Sequence, residues 1–276
     1  EAVQDAANDV GASDVLHAAN ASKVSVVGLG MATQSGVADR MFRALAEADI
    51  NIEAITTSAI KVSCLVSREQ GLQALRAVHT EFELGSPPSA RATFADSLAA
   101  AKQAKEADAM AVVNRLQSME DLTVHGVELD DTQALISLSA LPDSPGIAAD
   151  IFESVAAEGI LVDMIVQGIG KDGKTNLSFT VPSKQSDQAT AASNRVAEKL
   201  GGTVKTETSI AILSVTGVGI RSHTGVGLRM FRALTEKNIN MRLVSTSEVK
   251  VNVVIDGTQG QTGLTAIEAA FEDVIG

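Results

Sequence analysis

With 276 residues the chain has room for about two domains of roughly 150 residues each, or for more units if they are small and repeated. Its formal charge of −12 at pH 7 excludes a sequence-independent grip on nucleic-acid phosphates or anionic lipid, which requires clustered Lys and Arg. The absence of Trp and Tyr removes most stacking platforms for bases, and the single cysteine, Cys64, supports neither an internal disulfide nor a metal site.

In chain order, residues 1–10 suggest a helix ended by Gly11, and residues 13–17 suggest a short strand. They run parallel to 191–200, Gly201-Gly202 and 203–208, so residues 1–21 are expected to be the C-terminal remnant of a truncated unit. The chain opens on Glu1, not Met, which fits a piece of a longer protein. From residue 22 an apolar strand leads through Gly28, Gly30 and Gly36 into an amphipathic helix, with Val37, Met41 and Leu45 on one stripe and Phe42 beside it. Ile60, Val62, Cys64 and Val66 then alternate with Lys61 and Ser63 as in a half-buried strand, and a second helix carries Leu72, Leu75, Val78 and Phe82. This unit, copy A, is expected over 22–85.

Gly85-Ser86-Pro87-Pro88-Ser89 breaks the pattern, and the Ala/Lys/Glu-rich stretch at 93–119 is helical by composition, giving a connector over 86–121. Copy B, expected over 122–208, has the same grammar: Leu138 to Ala148, then Ile151-Phe152, a turn at Lys171-Asp172-Gly173-Lys174, and Leu177, Phe179 and Val181 alternating with polar residues. Copy C, expected over 209–276, repeats copy A 189 residues later: Met41-Phe42-Arg43-Ala44-Leu45 returns as Met230-Phe231-Arg232-Ala233-Leu234. Its second helix carries Leu264, Ile267 and Phe271. Strand, helix, two strands and helix is the split βαβ plan, so the fold class expected is α+β: tandem ferredoxin-like βαββαβ units with antiparallel sheets. Units this small leave sheet edges that need partners.

The turn before each first helix is the chemical candidate. Backbone N–H groups at the positive end of a helix attract a carboxylate, and a nearby acid attracts an ammonium, which together describe a free amino acid. In copy B this is Gly146, Ile147 and Ala148, with Asp143 for the ammonium. Plainer readings stand beside it: the glycines also suit tight turns, Asp143 suits any helix start, and the Met residues suit packing. His17, His79, His125 and His223 lack metal-ligand spacing. Val27-Gly28-Leu29-Gly30 imitates a dinucleotide fingerprint, but Thr33 stands at its third glycine and the hairpins imply an antiparallel sheet.

Val26 to Met31, Gly36 to Phe42, Ile50-Asn51-Ile52 and Thr57-Ser58-Ala59-Ile60-Lys61 resemble the ACT domains that end aspartate kinases. Leu141-Pro142-Asp143-Ser144-Pro145-Gly146 and Val162-Asp163-Met164-Ile165-Val166-Gln167 resemble the other member of the ACT pair in those enzymes. The whole arrangement is similar to the four-ACT-domain type found in cyanobacteria. The resemblance implies feedback inhibition of L-aspartate phosphorylation by lysine and/or threonine, in a cytoplasmic enzyme. It also implies ATP and Mg only in a kinase domain before Glu1, no cofactor in this segment, and homo-oligomers through ACT–ACT pairing. The effector contacts it implies are Asp143, Gly146, Ile147, Ala148, Asp163 and Gln167 in copy B. In copies A and C they are Val37, Ala38, Asn51 and Ile52, and Val226, Gly227, Asn240 and Met241. The alternatives are a ligand-free ACT dimerisation module and a dinucleotide-binding oxidoreductase domain. Neither nucleic acid nor membrane is an expected partner.

Overall fold

The computed structural model describes residues 2–12, 15, 19–28, 36–58, 60–85, 123–218, 220, 223, 225–247 and 249–275. The helical connector, most of the strand expected at 13–17, Leu29 to Met31 and Thr33 lie outside the described residues.

Helix α1 (Ala2–Asp9) has no buried residue. Copy A follows as β1 (Ala21–Val27), α2 (Val37–Glu47), β2 (Ala54–Ser58), β3 (Lys61–Ser67) and α3 (Gly71–Glu81). Strand β4 (Thr123–Asp130) precedes copy B, which comprises β5 (Gln133–Pro142), α4 (Ile147–Ala156), β6 (Ile165–Gln167), β7 (Lys174–Pro182), α5 (Ser186–Leu200) and β8 (Thr203–Glu207). Copy C is β9 (Ile210–Val218), α6 (Gly225–Glu236), β10 (Leu243–Thr246), β11 (Lys250–Asp256) and α7 (Gly260–Phe271). The alternation expected of β7 is present: Leu177, Phe179 and Val181 are all buried.

Copies A and B share one seven-stranded sheet, in the order β1-β3-β2-β6-β7-β5-β8. The seam is the antiparallel pair β2–β6, with Ile55 opposite Gln167 and Thr56 opposite Val166. Every pairing between named strands is antiparallel, as expected of this plan and incompatible with a parallel dinucleotide-binding sheet. One core runs under both units: Met41, Phe42 and Leu45 of α2 meet Ile151, Phe152 and Val155 of α4 above Ile55, Ile165 and Phe179. The rings of Phe42, Phe152 and Phe179 stand in series at 5.4 and 5.2 Å, in tilted and edge-on contacts that add to their area burial. Arg43 completes the helix contact by donating to Glu153 at 3.2 Å.

The expected boundary of copy B is corrected at its start. β5 has β7 on one side and β8 on the other, so no edge remains for β4. β4 instead pairs with β9 and buries Val124, completing a four-stranded sheet β10-β11-β9-β4. Copy B is thus inserted between the first strand of copy C and the rest of it. The two sheets meet through Leu135 and Met164 on one side and Ile210, Ile212 and Val254 on the other.

Two expected core residues of copy A face outward. Leu72 and Leu75 are 59% and 53% exposed, while Ala74 and Val78 are buried. A Cβ at Gly71 would lie 2.6 Å from Ser22 Oγ, so α3 starts hard against β1 and turns its Gly71, Ala74, Val78 stripe inward. Ile60 is likewise outside its expected strand, in the turn before β3. Ser63, expected at the surface, is buried and shares a 2.8 Å hydroxyl contact with Ser25.

Truncating the central ring of the shared core tests this arrangement. Phe152→Ala is expected to lower unfolding stability by about 3–5 kcal/mol in a denaturant titration, because the cavity is bounded by α2, α4 and β7 and cannot collapse. A loss below about 1 kcal/mol would contradict a core common to copies A and B.

Candidate functional site

The seam creates two clefts, one on each side of β2–β6. Copies A and B correspond at an offset of 110 residues, which sets Gly36 on Gly146, Ile52 on Val162 and Thr57 on Gln167. The clefts are therefore pseudo-equivalent: each has the start of one unit's first helix as one wall and, as the opposite wall, the other unit's segment leading into its second strand, Asn51-Ile52 in one and Val162-Asp163 in the other.

The first cleft, about 340 Å3 with the open solvent at its mouth included, lies at the start of α4. Gly146 ends the preceding loop at φ 93, a left-handed conformation that glycine adopts without penalty, and no side chain caps the helix. The N–H groups of Ile147, Ala148 and Ala149 thus stand without a side-chain acceptor at the positive end of the helix. Asp143 sits beside them, its own N–H donating to the Gly173 carbonyl at 3.0 Å. Copy A supplies the far wall: Asn51 Nδ2 donates to Asp143 Oδ1 at 2.9 Å, and Gln167, itself buried, donates to the Ile52 carbonyl at 2.9 Å. Phe42, Leu141 and Leu177 contribute apolar walls. A carboxylate, a row of N–H donors and two carboxamides around an apolar lining suit a small zwitterion.

The second cleft, about 560 Å3 on the same measure, lies at the start of α2. Gly36, at φ 86, again leaves the helix without a side-chain cap above Val37, Ala38 and Asp39. Thr57 stands where the first cleft has Gln167, and its hydroxyl accepts the Ile165 N–H at 2.8 Å and donates to the Asp163 carbonyl at 3.4 Å. Ser58 Oγ is buried with no hydrogen-bond partner among the described residues. Asp163 is at the mouth, and the protein around it pushes its carboxyl above the usual carboxylate range, with Lys250 opposing that rise and Asp130 adding to it. Leu161 replaces Asn51, so this cleft lacks the carboxamide that reaches Asp143 in the first.

The structure thus brings Asn51, Ile52, Asp143, Gly146, Ile147, Ala148 and Gln167 together in one cleft, and Val37, Ala38 and Asp163 in the other. Among the described residues it does not bring Val226, Gly227, Asn240 and Met241 into such a cleft. Val226 is buried in its own unit's core, and β10 has only β11 as a strand neighbour among the described residues. Thr57, Ser58, Asp39 and Thr175 line the clefts without having been singled out as contacts. The signal for Thr57 was the 110-residue offset between copies A and B, which sets it on Gln167. Cys64 is fully buried, with burial pushing its thiol pKa up, and no metal-binding cluster occurs among the described residues. No helix there is long and apolar enough to cross a membrane.

The ACT domain family profile matches residues 24–82, 136–195 and 213–271. The chain is 39% identical over 156 residues to an aspartokinase of Helicobacter pylori, covering 56% of the chain and 38% of that relative. It is 37% identical over 161 residues to an aspartate kinase of Pseudomonas fluorescens, covering 58% and 39%. The chain spans well under half the length of these curated relatives. Among solved structures, aspartate kinase from Synechocystis aligns with a TM-score of 0.74 at 31% identity, over 92% of this chain and 40% of that one. The ligand-free regulatory subunit of aspartate kinase from Thermus thermophilus aligns with a TM-score of 0.52 at 37% identity, over 54% and 99%.

Two substitutions probe the clefts without any ligand. Gln167→Leu removes the donor to a buried carbonyl at the seam and should lower stability by about 1–3 kcal/mol, read as a fall in thermal midpoint; an unchanged midpoint would mean that water replaces the bond. The Asp163 pKa is raised in the folded state, so the folded chain holds its proton to higher pH and stability falls as pH rises through that window. Asp163→Asn is therefore expected to raise the thermal midpoint at pH 7, only slightly because the residue is exposed to solvent, with the gain shrinking towards pH 4. A gain that grows on acidification would reverse the sign of this account.

Proposed function

The chain belongs to the ACT-domain family, in the form carried by aspartate kinase regulatory regions, and on that premise we propose that it is an allosteric amino-acid sensor. Threonine and/or lysine bind in the clefts between copies A and B and feed back on ATP-dependent phosphorylation of L-aspartate by a kinase domain of the same chain. The observation that carries this reading is the meeting of Asp143, Asn51 and Gln167 beside the uncapped start of α4.

The ligand's carboxylate accepts from the amides of Ile147 to Ala149, and its ammonium takes the Asp143 carboxylate. Asn51, released from Asp143, turns its carboxamide to the ligand, while Gln167 stays on Ile52 and holds the seam. A compact hydroxyl amino acid such as threonine suits this cleft. The second cleft is larger, and the carboxyl of Asp163 at its mouth gains from a cation, which favours a ligand with a second ammonium, such as lysine.

Each ligand then bridges copy A to copy B and favours one packing of the pair. A tenfold preference for that packing amounts to about 1.4 kcal/mol of coupling available to bias a catalytic domain. Copy C offers the face that copy A already uses, with β10 in the place of β2 and Arg232 in the place of Arg43. Arg43 is answered by Glu153, which occupies the matching position in copy B. Two copies of copy C would set Arg232 against Arg232, so the partner that fits this face is an ACT unit of copy B's type.

Calorimetric titration tests the reading. Heat is expected with threonine or lysine, and Asp143→Asn and Asn51→Ala should each weaken threonine binding at least tenfold, about 1.4 kcal/mol. No heat with either amino acid would contradict it and leave a ligand-free pairing module.

A further inference from the structure

Asp143 reaches the cleft only because β5 changes phase just before it. Up to Leu138, β5 follows strict alternation: Ala134, Ile136 and Leu138 belong to the core under the helices, and Leu135 faces copy C. Leu141 also belongs to the core under the helices, three residues after Leu138, where strict alternation would send it to the other face. The change is a bulge: the register runs from Leu138 opposite Leu177 to Leu141 opposite Thr175, so Ser139 and Ala140 together oppose Asn176. Ala140 takes φ +60, unusual for a residue with a Cβ, and copies A and C carry Gly30 and Gly219 at the matching positions. Asn176 answers the extra residue by accepting the Ala140 N–H on Oδ1 at 3.1 Å. Past the bulge, Asp143 shares the phase of Leu141 and meets Asn51.

The carboxylate is bounded from below as well. A Cβ at Gly170, in the loop between β6 and β7, would lie 2.2 Å from Asp143 Oδ2, 2.8 Å from its Cγ and 3.0 Å from the Lys174 carbonyl oxygen. Gly170 is not in the left-handed region, so alanine suits its backbone. The cheapest response to that methyl group is rotation of the Asp143 side chain, away from Asn51. Gly168, two residues earlier in the same loop, has nothing within 4 Å of its would-be Cβ.

We infer that Gly170 and the Asn176-capped bulge form a socket that fixes the Asp143 carboxylate, which makes both positioning residues of the first cleft. Their effect on ligand affinity rests on the amino-acid-binding reading above; the socket itself does not.

The test uses the 276-residue chain and two readouts. By calorimetry with threonine, Gly170→Ala should bind at least tenfold more weakly, while Gly168→Ala binds as the parent does and shares its thermal midpoint within a few degrees. Asn176→Ala should bind about three- to tenfold more weakly, and Asn176→Asp, which keeps an acceptor oxygen, should regain the parent affinity. Equal affinities for Gly170→Ala and Gly168→Ala would overturn the inference. The second readout needs no ligand: the side-chain amide signals of Asn51 in NMR, held by Asp143 in the parent and in Gly168→Ala, should shift to those of a free carboxamide in Gly170→Ala. If neither threonine nor lysine binds the parent chain, the amino-acid reading fails, and wherever threonine does not bind, this second readout decides alone. Unchanged Asn51 signals in Gly170→Ala would then overturn the socket.

Discussion

Two residue pairs hold two ACT units in one sheet. Ile55 opposite Gln167 and Thr56 opposite Val166 are the whole of the β2–β6 ladder, and on so short a seam the backbone alone gives little. Side chains extend it at both ends. Thr57 takes the next amide, that of Ile165, on its hydroxyl, and Gln167 reaches past the ladder to the Ile52 carbonyl. The helices above contribute the larger part through Phe42, Phe152 and Arg43. A junction stitched largely by side chains is one that a ligand touching the same side chains can tighten or loosen.

That constraint also explains why the clefts lie where they do. An antiparallel seam between two similar units generates a pseudo-two-fold axis, and the uncapped starts of α2 and α4 fall on opposite sides of it. Sequence divergence then makes the two sides unlike. Asn51 faces Asp143 on one side, whereas Leu161 and Asp163 occupy the corresponding stretch on the other. Two related but distinct cavities in one pair are what a sensor of more than one amino acid requires. Copy C shares most of copy A's interface residues, but no unit of copy B's type pairs along β10 among the described residues, so Asn240 and Met241 remain half of a cleft.

Much of this was legible in the sequence because repetition made it so. The return of Met41 to Leu45 at Met230 to Leu234 exposes the units, and the alternation of Leu177, Phe179 and Val181 marks the central strand of copy B. The residues of the first cleft follow from the helix-start chemistry of Asp143 to Ala148 together with the family resemblance. What was not legible depends on long-range pairing. Nothing local to residues 123–130 says that they complete a sheet begun more than eighty residues later, because any alternating strand fits any open edge. The outward turn of Leu72 and Leu75 follows from the contact of Gly71 with Ser22, which no helical periodicity contains. Gly170 reads as one more loop glycine until the Asp143 carboxylate is found against it.

A free amino acid that bridges copies A and B at the seam touches backbone of both units. Hydrogen exchange followed by mass spectrometry, with and without saturating threonine, tests this bridging most directly because it reports which backbone amides the ligand protects. Protection is expected at 143–149 and at the facing stretch 51–58, with copy C unchanged. Protection confined to copy C, or absent from both walls of the cleft, would contradict it.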